Sequence, residues 1–187
     1  MRVSWAELYE QVGACRKCRL CESRHNVVPG EGNPNADLMF IGEGPGAEED
    51  RLGRPFVGRS GELLTKMINA IGLERSEVYI CNVVKCRPPA NRDPAPEEAE
   101  TCLPYLRAQV ALVRPKVIAL LGRVACQYTL REQISVTRDH GRWFERKGVW
   151  MMPTFHPAAL LRDPARKRDA WEDFQKLRDK LREVQHG

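Results

Sequence analysis

The alternation of short, continuous apolar runs with helical patterns is the feature that most constrains how this chain can fold. Four such runs predict strands, each bounded by Gly, Pro, Asn or charged residues: 37–42, 78–82, 117–121 and 150–155. Strands that are apolar along their whole length are usually covered on both faces. The pattern therefore predicts an α/β fold in which a mostly parallel sheet lies between layers of helices.

The segments between these runs carry apolar residues at helical spacing. One face consists of Leu63, Leu64, Met67, Ile68 and Ile71, and the next of Ala99, Leu103, Leu106, Val110 and Val113. The second helix is predicted to start after Pro94 and Pro96, and a last helix after Pro164. With 187 residues the chain can form one sizeable core, so we expect a single domain over residues 1–187.

Residues that directly follow the predicted strands are candidates for a binding site, because such sheets bind ligands at the carboxyl ends of their strands. They are the glycine-rich segment 42–46, Asn82 and the pair His156-Pro157. Each by itself could be a plain turn or a strand terminator. Their common placement predicts a site at one edge of the sheet.

The charge balance of the chain is basic, with a formal net charge of +5. This suits a polyanionic partner such as nucleic acid without requiring one. No apolar stretch approaches the roughly 20 residues that are needed to cross a bilayer. We therefore expect a cytoplasmic protein with no membrane partner.

Seven cysteines are unusual for a cytoplasmic chain, in which disulfides rarely persist, and they favour metal ligation. Cys15 and Cys18 form a Cys-x-x-Cys pair, and Cys86 with Cys102 supplies a possible second pair. Cys21 extends the first motif, so Cys18 with Cys21 is a competing first pair. Four thiolates suit either zinc or an iron–sulfur cluster, and the spacing does not choose between them. The remaining two are expected in the core: Cys81 and Cys126.

Four motifs occur in order along the chain: Gly42-Glu43-Gly44-Pro45-Gly46, Gly53-Arg54-Pro55-Phe56-Val57-Gly58, Tyr79-Ile80-Cys81-Asn82-Val83-Val84-Lys85-Cys86-Arg87-Pro88-Pro89 and Thr154-Phe155-His156-Pro157. Together they resemble the family 4 uracil-DNA glycosylases. The resemblance extends from Cys15 to the helix after Arg162. It implies a monomeric enzyme that removes uracil from single- or double-stranded DNA by hydrolysing the N-glycosidic bond.

The same resemblance implies a fold and a cofactor. The fold is the three-layer α/β/α uracil-DNA-glycosylase fold with a short, mostly parallel central sheet. The cofactor is a 4Fe–4S cluster with a structural role, and its implied ligands are Cys15, Cys18, Cys86 and Cys102.

The resemblance also assigns roles to residues near the strand ends. Phe56 is expected to stack on the flipped base, and Asn82 to distinguish uracil from cytosine through its side-chain amide. His156 is expected to hydrogen-bond the departing base, while Gly42 and Gly44 line the substrate site.

Two positions in the first motif depart from the classical uracil glycosylases. Gly44 stands where those enzymes carry an aspartate, so Glu43 is the candidate for orienting the attacking water. Gly46 stands where those enzymes carry a tyrosine that excludes thymine. Glu49 is therefore the candidate for a side chain that forms a wall near C5 of the base. The alternative for Glu49 is a solvated acid in an acidic run.

The loop after His156 is expected to contact the duplex. Leu160 matches the position of the apolar wedge, and Arg162 is a candidate for a phosphate contact. Family members usually have serine where this chain has Ala158. Two further cations are plausible phosphate contacts: Lys85 and Arg87.

Other classes of function remain open from the sequence. One is a protein that binds or crosslinks uracil-DNA without turnover, but the basic, His-containing insertion of such relatives is absent between Asp50 and Ser60. Others are a zinc-stabilised nucleic-acid module, which a brown colour would exclude, and a flavodoxin-like redox protein, which would leave Asn82 and His156 unexplained.

Overall fold

The computed structural model describes residues 2–187, which form an α/β domain with one mixed sheet. Its strands are β1 (Glu31–Gly32), β2 (Leu38–Gly42), β3 (Tyr79–Asn82), β4 (Val117–Leu121), β5 (Phe144–Arg146) and β6 (Val149–Thr154). Its α-helices are α1 (Trp5–Gly13), α2 (Leu20–Ser23), α3 (Ala47–Leu52), α4 (Arg59–Ala70), α5 (Pro96–Val113), α6 (Arg123–Leu130), α7 (Val136–Asp139), α8 (Pro157–Arg162) and α9 (Lys167–His186).

The sheet has the strand order β1-β3-β2-β4-β6-β5. The four inner strands are parallel, whereas the short edge strands β1 and β5 run antiparallel to their neighbours. Gly42 of β2 pairs with Asn82 of β3, and Leu121 of β4 pairs with Thr154 of β6. The carboxyl ends of the parallel strands therefore lie at one edge, as the sequence predicted.

Helices cover both faces of the sheet. Because side chains alternate along a strand, Met39 and Ile41 pack in the core beneath α5 and α6, whereas Leu38 and Phe40 pack beneath α4 and α9. Cys81 and Cys126 are fully buried in the first of these cores. The predicted mostly parallel sheet between two helical layers is confirmed, and so is the core position of both cysteines.

The edge strands were not predicted, because two or three residues carry too little pattern to be recognised. Helix α5 begins at Pro96 itself, and a short 3-10 turn over Pro164–Arg166 precedes α9. Within residues 2–187, no helix is both long and apolar enough to span a membrane.

Candidate active site

A pocket at the carboxyl ends of the parallel strands brings most of the predicted site residues together. This strand-end pocket has a volume of about 610 Å³. Its lining includes residues that directly follow β2, β4 and β6 and the last residue of β3. The predicted site residues among them are Glu43, Gly44, Glu49, Phe56, Asn82, His156 and Arg162.

Asn82 lies at the end of β3 with only 1% of its surface exposed. Its Oδ1 atom is buried and has no hydrogen-bond partner within residues 2–187, although buried polar groups are nearly always paired. Gly42 faces it from β2: a Cβ atom there would lie 2.5 Å from Asn82 Oδ1 and 2.6 Å from Phe56 Cζ. Gly42 thus allows the amide and the aromatic ring to approach the strand, which fits its predicted place in the substrate site.

Phe56 is held in a strained backbone conformation, with φ of +50°. The guanidinium of Arg75 fixes this loop, because its Nη1 donates to the Phe56 carbonyl and its Nη2 to the Pro55 carbonyl, each at 2.9 Å. Gly61 of α4 packs under the same peptide, where a Cβ atom would lie 2.0 Å from the Phe56 carbonyl. The position of the aromatic ring is therefore determined by several contacts at once. This role of Arg75 was not predicted from the sequence.

Glu49 is buried and joins the two glycine-rich motifs. Its Oε1 accepts from the Gly46 amide at 3.1 Å, and its Oε2 accepts from the Val57 and Gly58 amides at 2.9 and 2.7 Å. The interpretation of Glu49 as a solvated acid is wrong, because the loop supplies three amide donors that hold it inside. Its role as a wall against thymine stays a prediction.

His156 caps helix α8 and has a defined tautomer. Its Nδ1 accepts from the Ala158 amide at 3.0 Å, so the ring hydrogen of the neutral form is on Nε2. Burial, and then the positive charge of Arg162, lower the pKa of His156 to about 4. The ring lies 5.5 Å from that of Phe56, centroid to centroid. His156 is therefore a neutral hydrogen-bond donor at neutral pH.

Glu43 shares the pocket with a second carboxylate, Asp93, which the sequence did not single out. Burial, and then the neighbouring Asp93, raise the pKa of Glu43 to about 7, while Arg123 and Arg162 act against this rise. Asp93 forms an ion pair with Arg123 at the start of α6. Because Asp93 lies in an irregular segment between two predicted elements, no local pattern indicates that it lines the same pocket as Glu43.

Two predicted DNA contacts are wrong. Leu160 is fully buried in α8, where it packs with Phe155 and Ala170, so it is not free to enter a base stack. Lys85 is only 1% exposed and cannot reach a phosphate. Arg162 is exposed and lines the pocket, so a phosphate contact is geometrically open to it and stays a prediction.

A second pocket, the cysteine pocket, lies beneath the segment that follows β3. The cysteines in its lining are Cys15, Cys18, Cys21, Cys86 and Cys102. The four predicted ligands thus come together from three parts of the chain, and Cys21 lies there as well. All are free thiols, and burial raises the pKa of Cys102 to about 11.

Two cations face these thiols. Arg24 Nη1 donates to Cys86 Sγ at 3.4 Å and to the Cys15 carbonyl at 2.7 Å. Lys85 donates from Nζ to the Asn82 carbonyl and to Gln109 Oε1, each at 2.6 Å, and no described carboxylate pairs with it. Its charge opposes the rise in the pKa of Cys102. A soft donor set beside two cations fits a negatively charged metal–thiolate group.

The side chains as they stand do not form a site for a single ion. Within residues 2–187, no three His, Cys, Asp or Glu side chains form a group that could hold a metal ion.

Comparison with known proteins defines first the class and then the family. The model of the "Uracil DNA glycosylase superfamily" matches residues 29–175, a range that contains the whole strand-end pocket. The Type-4 uracil-DNA glycosylase of Sulfurisphaera tokodaii is 46% identical, with 94% of this chain and 84% of that protein covered. Those of Archaeoglobus fulgidus and Thermotoga maritima are 44% and 46% identical, and coverage is 90% or more of both chains in each comparison. The chain belongs to the type-4 uracil-DNA glycosylases, which also confirms the three-layer α/β/α fold.

Proposed function

We propose that this protein excises uracil from DNA by hydrolysing the N-glycosidic bond and leaves an abasic site, which makes it a DNA-repair glycosidase. The observation that carries the mechanism is the buried Oδ1 of Asn82, which lies beside the Phe56 ring and has no partner in the part of the chain that the structure describes. An unpaired acceptor in a pocket of this size suits a planar ligand that brings its own N–H donor.

Uracil cannot be reached inside a stacked duplex, so the nucleotide must be flipped into the pocket. Phe56 then stacks on the base and supplies affinity. Asn82 accepts from uracil N3–H through Oδ1 and donates from its amide nitrogen to O4. Cytosine reverses both groups, and a fixed amide would leave both positions unpaired, which gives strong discrimination.

Cleavage leaves negative charge on the departing uracil, mainly at O2. The Nε2–H of neutral His156 donates to this oxygen, and the Ala158 amide holds the ring in that tautomer. A preorganised donor at developing charge typically contributes about 3–4 kcal/mol to the transition state. Because the pKa of His156 is about 4, the ring stays neutral with its hydrogen on Nε2, and this donor is present throughout the physiological pH range.

Glu43 is placed to orient the water that attacks C1′ of the sugar. Gly44 offers no carboxylate at the neighbouring position, and the other acidic residues in the pocket lining are Glu49 and Asp93. Since the transition state has oxocarbenium character, orientation of the water and partial proton transfer are enough.

Arg162 at the rim of the pocket contacts the DNA backbone. Such a contact gives affinity without sequence preference, and it weakens as salt rises. Substitution of Arg162 by Ala lowers the slope of log affinity against log salt by about one.

The cysteine pocket holds a 4Fe–4S cluster through Cys15, Cys18, Cys86 and Cys102. The convergence of these thiols and the two facing cations support this assignment. When bound, the group supplies a four-thiolate crosslink between the segment after α1, the segment after β3, and α5.

Iron content and visible absorbance test this assignment. The purified protein is expected to be brown with about four iron atoms per chain. Replacement of Cys102 by Ala should lower the iron content, whereas Cys126→Ala, in the core away from the pocket, should keep it. A colourless protein that contains zinc instead would contradict the assignment.

Excision is tested with end-labelled oligonucleotides that contain one uracil, either single-stranded or opposite guanine, followed by alkaline cleavage. We expect scission at uracil, none at thymine, and loss of scission in Asn82→Ala. The exposed Asn35→Ala serves as the matched control and should keep activity. A covalent protein–DNA product without free abasic sites would instead support a crosslinking protein.

A further inference from the structure

Asp93 reaches the strand-end pocket from a segment that nothing in the reaction so far uses. Its backbone is fixed from one side, because Arg92 donates to the Asp93 carbonyl at 3.0 Å and forms a bidentate pair with the buried Glu98. Its side chain pairs with Arg123, the first residue of α6. Asp93 is thus held between α5 and α6 with its carboxylate at the pocket wall.

Asp93 and Glu43 both line the strand-end pocket, and after burial the charge of Asp93 is the largest cause that raises the pKa of Glu43. Ionisation of Glu43 beside Asp93 brings two negative charges together, so the Glu43 carboxyl group keeps its proton to a higher pH than an isolated glutamate. The charged groups that act on Glu43 are Asp93, Arg123 and Arg162. The other titratable or charged groups in the pocket lining are Glu49, Arg92 and His156.

We propose that Asp93 is a positioning residue of the excision site that acts through Glu43: its negative charge opposes ionisation of Glu43 and so sets the pH at which Glu43 can accept the proton of the attacking water. This inference rests on the proposed function. In the step itself, the water oxygen bonds to C1′ as the C1′–N1 bond breaks. The electron pair leaves with uracil, and the proton of the water passes to the ionised Glu43.

Arg123 gives the arrangement a second control, since it pairs with Asp93 and its positive charge opposes the rise in the pKa of Glu43. Removal of Asp93 takes a negative charge away from Glu43, so Glu43 ionises at lower pH. Removal of Arg123 leaves Asp93 uncompensated, so Glu43 ionises at higher pH. The two substitutions therefore have opposite effects, which general damage to the fold would not produce.

The test is the single-turnover rate of uracil excision between about pH 5 and 9 for the full chain with its metal content verified. In the wild type, the rate should rise with pH through a midpoint near 7, the pKa of Glu43. His156 does not contribute to this rise of the rate with pH, because its pKa of about 4 lies below the pH range of the experiment.

We expect Asp93→Asn to move the midpoint down by about one pH unit, which is about a fivefold faster rate than wild type at pH 6. Arg123→Gln should move it up. Glu100→Gln is the matched control, because Glu100 is exposed and paired with Arg131 just as Asp93 is paired with Arg123. Its profile should coincide with that of the wild type.

Coincident profiles for Asp93→Asn and wild type would overturn the inference and leave the proposed function intact. Shifts of both variants in the same direction would also overturn it. Absence of excision by the wild type at every pH would instead overturn the proposed function, so the two failures are distinguishable.

Discussion

Replacement of Asn82 by Leu should make the protein more stable and abolish its activity. Leu has nearly the shape of Asn, so it fills the same space at the end of β3 without a polar atom. In the free protein, Asn82 Oδ1 is buried and has no partner among residues 2–187. On the proposed mechanism, the wild type retains a destabilising group whose partner arrives with the substrate.

The size of the effect follows from that one atom. A buried acceptor without a partner costs about 1–3 kcal/mol, which the substitution recovers. In a chain of this length, about 1 kcal/mol corresponds to about 2–4 °C in Tm. We expect Tm to rise by several degrees, while the single-turnover rate of excision falls by about 10³-fold because both amide contacts to uracil are lost.

Differential scanning calorimetry and the oligonucleotide cleavage assay measure the two effects on the same preparation. The matched control is Thr129→Val, because Thr129 Oγ1 in α6 is the other buried side-chain atom without a partner in the described residues. This variant should gain stability in the same way and keep full activity.

A fall in Tm for Asn82→Leu would refute the reasoning, since it would mean that the amide is satisfied in the free protein. Retained excision by this variant would refute the assignment of Asn82 as the residue that recognises uracil.

Three further substitutions test other parts of the structure. Gly61→Ala should displace the Phe56 loop, because the added Cβ would lie 2.0 Å from the Phe56 carbonyl, and KM for uracil-DNA should rise more than kcat falls. Leu160→Ala should lower the free energy of unfolding by about 2–5 kcal/mol, as expected for a core residue, and an unchanged Tm would restore the wedge interpretation. Asp50 is buried, which would raise its pKa, but hydrogen bonds from His25 lower the pKa below the usual value. The contribution of Asp50 to the free energy of unfolding is therefore present above about pH 4 and is lost as the pH falls further. In urea unfolding, Asp50→Asn should be less stable than the wild type at pH 6, and this difference should vanish in acid.

The inner strands could be predicted from the sequence because they are apolar along their whole length. The topology then follows from the alternation with helices, and it places Glu43, Asn82 and His156 at one edge. Their chemical roles came from the motif resemblance and not from the pattern. The structure adds why the amide and imidazole are useful, since one is unpaired and the other has a fixed tautomer.

The errors have a common physical origin. The orientation of Leu160 depends on how α8 packs against α4, which is a tertiary contact. Lys85 is polar and near a motif, yet it is buried because Gln109 of a distant helix supplies its acceptor. Asp93 reaches Glu43 only after an irregular segment folds back. None of these positions is fixed by the residues next to them in sequence.

The position of the pocket at the carboxyl ends of several parallel strands has a consequence for biosynthesis. The pocket is built from residues between Glu43 and Arg162, so its last wall is added only after β6 has been synthesised and has paired with β4. Partial chains on the ribosome hold the glycine-rich motifs and Asn82 but lack His156. Such nascent chains have no complete pocket, and the enzyme becomes able to cut bases out of DNA only after the chain has emerged as far as Arg162.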